Sequence, residues 1–158
     1  MIRMLSLVVV LACTAPVVAT PSKAPWGQGK VEDHDYAPHK VVYDVSARGV
    51  EDFSNVLDRI SYLNNLYEAD PFSASIVLVL HGDEIPMFAI ENHHIHAELM
   101  QRAQSLTVAG PIEFRMCRVA AKAHGYDPDD IHGFVKLVPM ADAEIVKLQQ
   151  EDGYAYMR

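Results

Sequence analysis

The stretch Ile112-Glu113-Phe114-Arg115-Met116-Cys117-Arg118-Val119-Ala120-Ala121-Lys122-Ala123-His124-Gly125 decides how this chain is read. It is a short strand that ends at a thiol and turns directly into a helix. Alternation along the strand puts Arg115 on the face opposite Met116. At the start of a helix, unpaired backbone N–H groups and the positive end of the dipole favour a thiolate over a thiol. Arg115 and Arg118 flank Cys117, and either can add positive charge. Two readings stay open from context alone: a reactive sulfur, or a small apolar residue packed under a helix.

Working outward, strands and helices alternate. Residues 40–46 are β-branched and apolar, as in a buried strand. Residues 50–68 space Phe53, Val56, Leu57, Ile60, Leu63 and Tyr67 along one face of an amphipathic helix. Residues 75–82 form an uninterrupted apolar strand closed by His81-Gly82. A short helix and then a longer one are expected over 84–109, stopped by Gly110-Pro111. Downstream come a capped turn at 127–131, a fourth strand at 133–138, a helix at 142–152 and a short edge strand at 153–158. This order predicts an α/β fold, a mostly parallel sheet with helices on both faces.

Ligands of such sheets gather beyond the carboxyl ends of the strands. His81 and Cys117 both fall at such ends, so they share one crevice if their strands are neighbours. His81 can orient a sulfur substrate or exchange a proton with the thiol; alternatively it only fills the turn before Gly82. Asp83 and Glu84 would repel a thiolate if they pointed inward, and they are expected to face solvent. In Asn92-His93-His94-Ile95-His96, the pair His93 and His96 stands one helical turn apart, but a metal needs a third ligand, and no metal or cofactor is expected. No Gly-rich phosphate loop and no Gly-x-Ser-x-Gly elbow is present, which demotes nucleotide binding and serine hydrolysis.

The 158 residues suffice for one domain with a core, and the formal net charge of −8 without a basic block makes nucleic acid and anionic membranes poor partners. Residues 1–19 read as an export signal: Arg3 near the start, an apolar run too short to span a bilayer, and a cut after Ala19. Periplasmic or secreted location follows. A second processing route, lipidation at Cys13 within Val10-Leu11-Ala12-Cys13, is the weaker alternative. Cleavage after Ala19 leaves Cys117 as the only cysteine of the mature chain. Residues 20–39, rich in Pro, Gly and His, read as an arm that is flexible or packs on another subunit through Trp26; the domain spans 40–158.

The motif Cys117-x-x-Ala120-Ala121-x-x-x-Gly125, followed by Asp129-Asp130-Ile131-His132-Gly133, resembles the DsrE/DsrF-like family of sulfur-handling proteins. So do Val79-Leu80-His81-Gly82-Asp83 upstream and the ending Leu148-Gln149-Gln150-Glu151-Asp152-Gly153-Tyr154-Ala155-Tyr156. The resemblance implies a flavodoxin-like three-layer fold and an oligomer, often a trimer or hexamer. It also implies that the cysteine matching Cys117 carries sulfur as a persulfide between partners. The expected protein is therefore a sulfur carrier or sulfurtransferase working as a homo-oligomer. Cys117 is its nucleophile, His81 its neighbour, and Arg118 stabilises an anion or thiolate. Its partner would be a sulfur donor or acceptor, small molecule or protein. The alternative is a non-catalytic oligomeric binding or assembly module on the same fold, with Cys117 inert.

Overall fold

The computed structural model describes residues 26–108 and 110–158; the signal segment with Arg3, Cys13 and the cut after Ala19 lies outside the described residues. Two units separate between Asp35 and Tyr36. In the first, residues 26–35 are exposed and hold no helix or strand. The second carries the fold.

Five strands form one all-parallel sheet: β1 His39–Val45, β2 Ala74–Leu80, β3 Ile112–Cys117, β4 Val135–Val138 and β5 Ala155–Met157, in the order β4-β3-β2-β1-β5. The helices are α1 Val50–Leu66, α2 His93–Val108, α3 Arg118–Ala123 and α4 Ala141–Gln150. The continuous apolar run of β2 is explained by burial on both sides. Ile76, Leu78 and Leu80 join one core with Phe53, Leu57 and Ile60 of α1, Met100 of α2 and Ala121 of α3. Val77 and Val79 join a second core with Val42, Cys117 and Ala141, Ile145 and Leu148 of α4. Burial on both faces is what a parallel sheet requires, since crossover helices cover it on each side. The result is a flavodoxin-like three-layer α/β fold. No helix among the described residues is long and apolar enough to cross a membrane.

The chain steps from β1 to β4 in one direction, with α1, α2 and α3 on the first face, and then returns through α4 on the second face to place β5 beside β1. Outgoing connections of adjacent strands therefore part to opposite faces between β3 and β4. In parallel sheets such a divergence at the strand carboxyl ends is where ligands gather. Cys117 stands there, registered opposite Val138 of β4.

One local element differs from expectation. The short helix expected near residue 84 is a pair of 3-10 turns, Ile85–Phe88 and Ile90–Asn92, separated by the extended Ala89. Ala89 makes an antiparallel bridge to Ile131, and the Phe88 carbonyl accepts from the His132 N–H. These tertiary bonds hold the backbone out of a continuous helix.

Candidate functional site

Two of the candidate side chains, His81 and Cys117, stand at the ends of strands. Leu80 and Met116 are registered partners, so His81 and Cys117 each stand one residue further along neighbouring strands. Cys117 caps α3: its Sγ accepts from the Ala120 N–H at 3.5 Å. The helix that it caps has six residues and contributes only a modest dipole. The thiol is 5 % exposed, packed in the second core under α4. Cys117 thus stands at a strand end yet is covered in the single chain.

Of the two arginines, Arg115 is on the face opposite Met116 as expected, but it is committed elsewhere. It pairs with Glu113 and with Glu144 of α4, and Glu113 also pairs with Lys136. Burial alone would lower the Arg115 pKa, and the two carboxylates outweigh it and hold the guanidinium charged. Arg118 is exposed on the first turn of α3, with no ion pair among the described residues.

His81 is tied from the other side. Its Nε2 lies 2.5 Å from Oδ1 of Asp44 on β1, and the Tyr156 hydroxyl of β5 donates to Oδ2 of the same carboxylate at 2.5 Å. Burial pushes the Asp44 carboxyl up, but the bonds from Tyr156 and His81 outweigh it, and the net pKa lies below its ordinary 3.8. A carboxylate with a depressed native pKa adds stability above 3.8 that is lost as pH falls through the native value. Tyr156→Phe removes one donor and is expected to raise the Asp44 pKa at a cost of about 0.5–1.5 kcal/mol. Carboxyl carbon NMR against pH reads the shift directly, and an unmoved titration would show that Tyr156 does not hold Asp44.

Sequence reasoning had no signal for Asp44 or Tyr156, because residues 112 positions apart meet only when β5 pairs with β1. It also misplaced Glu84. Asp83 faces solvent, but Glu84 is fully buried. Its two carboxylate oxygens accept the backbone N–H groups of Gly82 at 2.9 Å and Ala47 at 2.8 Å. Burial needs compensation, and these amides supply it, so the carboxylate turns inward as a staple between the loops after β1 and β2. A Cβ on Gly82 would come within 2.7 Å of Ser46 Cα and 2.8 Å of Glu84 Oε2, which is why glycine follows His81.

The histidine pair expected on one helical face is not brought together. Backbone angles at His96 (φ −115°, ψ 19°) kink α2, and His93 and His96 line different cavities.

The family model for the DsrE/DsrF-like family matches residues 46–158. Among solved structures, a protein of unknown function from Methanobacterium thermoautotrophicum, MTH1491, is similar at 27 % identity with a TM-score of 0.60, over 76 % of this chain and 98 % of its own. No curated protein matches the chain significantly.

Proposed function

The chain belongs to the DsrE/DsrF-like family, which is associated with sulfur relay, and from that premise we propose that it carries sulfur on Cys117. The observation that supports this most is the position of Sγ: at the end of a central strand, beside the β3/β4 divergence, accepting an amide N–H at the start of α3. In the proposed step the Cys117 thiolate attacks the outer sulfur of a donor persulfide. A new S–S bond forms, the donor's S–S bond breaks, and the donor leaves as a thiolate with the electron pair. The exchange is redox-neutral and returns in reverse to an acceptor. His81, oriented by Asp44, sits on the adjacent strand end to assist proton movement, and Arg118 offers positive charge at the approach.

Access requires the first turn of α4 to move aside. Met140 is its N-cap, half-exposed and without a side-chain capping bond, so this turn lacks the stabilisation that a Ser or Asp cap adds. The proposed protein is a homo-oligomer, trimeric or hexameric, in a periplasmic or secreted setting, and exposed Val119 on α3 and Val146 on α4 offer apolar surface for a subunit contact.

Intact mass after native incubation with polysulfide is the test. The expected result is one added sulfur on the wild type, removed by reductant and absent in Cys117→Ser. No adduct, together with alkylation of Cys117 only after denaturation, would sink the carrier. The burial of Cys117 supports that second reading, an assembly or binding module with an inert cysteine, and the same experiment separates the two.

A further inference from the structure

We propose a transition-metal site formed by His93 and His132, independent of Cys117. A cavity of about 470 Å³ lies beside α2, lined by His93, Met100, Gln101, Gln104, His132 and Phe134 among others. The two imidazoles face each other edge to face with ring centroids 5.5 Å apart. Two imidazoles on one tetrahedral ion, with Zn–N about 2.0–2.1 Å, have centroids roughly 5 Å apart. The spacing is close to that of a shared ion, and a turn of the His93 ring would aim both lone pairs at one point. His93 is on the surface, where turning its ring costs little, whereas His132 is fixed by stacking on Phe134 with the planes only 15° apart.

The second observation is an orphan. Nε2 of His132 is buried and has no hydrogen-bond partner among the described residues. A buried ring nitrogen without a protein partner is costly, and it calls for a water or an ion to satisfy it.

Composition of the cavity names the class of ion. Imidazole suits zinc and copper, and a hard-oxygen ion such as calcium or magnesium finds no carboxylate on this lining. No group of three His, Cys, Asp or Glu side chains able to hold a metal occurs among the described residues. The ion would therefore keep open positions, filled by solvent or by the amide oxygens of Gln101 and Gln104. Such open coordination predicts an exchangeable site rather than a structural one. Exposed Glu91, Asp129 and Asp130, each within three residues of a ligand in sequence, give the approach a negative field that draws a cation.

The test is zinc titration by calorimetry, with cobalt as the spectroscopic probe of coordination. Wild type is expected to bind one ion saturably, with visible cobalt bands of tetrahedral strength. His93→Ala and His132→Ala should each weaken zinc at least about tenfold, while His94→Ala and His96→Ala should leave it unchanged. His93 is exposed, so its alanine variant keeps the fold even if the His132 variant does not, and circular dichroism checks both. Overturning results are the absence of saturable binding to wild type, or binding by His93→Ala equal to wild type. Sulfur loading at Cys117 reads out separately, so failure of one proposal is distinguishable from failure of the other.

Discussion

Phe88→Ala is expected to destabilise the domain by about 3–5 kcal/mol, a lowering of the urea midpoint by roughly 2 M at a slope of ~2 kcal/mol/M. Phe88 is fully buried and is the hub of an aromatic cluster. Its ring meets Phe53 of α1 edge-on at 5.2 Å, Phe114 of β3 at 5.9 Å and Phe134 at 6.0 Å. Truncation loses the transfer free energy of the ring and leaves a cavity among three residues on different elements. Phe53 and Phe114 cannot fill it without moving α1 or β3. The backbone of Phe88 also bonds to His132, so its segment cannot slide inward cheaply. A cost under about 1.5 kcal/mol in equilibrium urea unfolding would mean that the cluster collapses freely into the space, and that Phe88 is not its hub.

Glu84→Ala is the second large effect, about 3 kcal/mol. It removes the carboxylate that accepts the backbone N–H groups of Ala47 and Gly82, and leaves both donors stranded in the loops after β1 and β2. Glu84→Gln should cost less: its carbonyl oxygen serves one amide while its NH2 meets the other as a second donor. The pH dependence separates charge from shape. Burial, the largest influence, raises the Glu84 pKa above its ordinary 4.5, and the backbone amides only partly oppose it. Between the unfolded and the raised native value the native state holds more protons, so stability falls as pH rises through that window and is greatest below 4.5. Wild type should show this decline in unfolding free energy measured from pH 4 upward, and Glu84→Gln should lack it. Parallel curves for the two proteins would show that Glu84 is not the group that titrates. Because the Asp44 contribution runs the other way, the Glu84→Gln difference curve, rather than either raw curve, isolates the group.

Periodicity alone reached most of the architecture. Strand β3 and its turn into α3 at Cys117 were legible, since alternation and the change of period are local properties. The two-sided burial of β2 was legible because a strand apolar at every position from Ile76 to Leu80 has no solvent face to offer there. His81 and Cys117 could be placed at strand ends for the same reason. Their adjacency could not, since it depends on β2 and β3 pairing in a register that puts Leu80 beside Met116.

What the amino-acid sequence by itself determined, then, is the succession of elements, the parallel sheet and the one cysteine of the folded domain. Tertiary structure alone decided the inward turn of Glu84, the Tyr156–Asp44–His81 chain, the cover of α4 over Cys117 and the meeting of His93 with His132. The physical reason is common to all four. Each depends on groups far apart in the chain satisfying one another's hydrogen bonds or burying one another's surface, and no pattern within a window of residues carries that information. Local preference selects the elements; the pairing of distant polar groups decides which chemistry their ends can assemble.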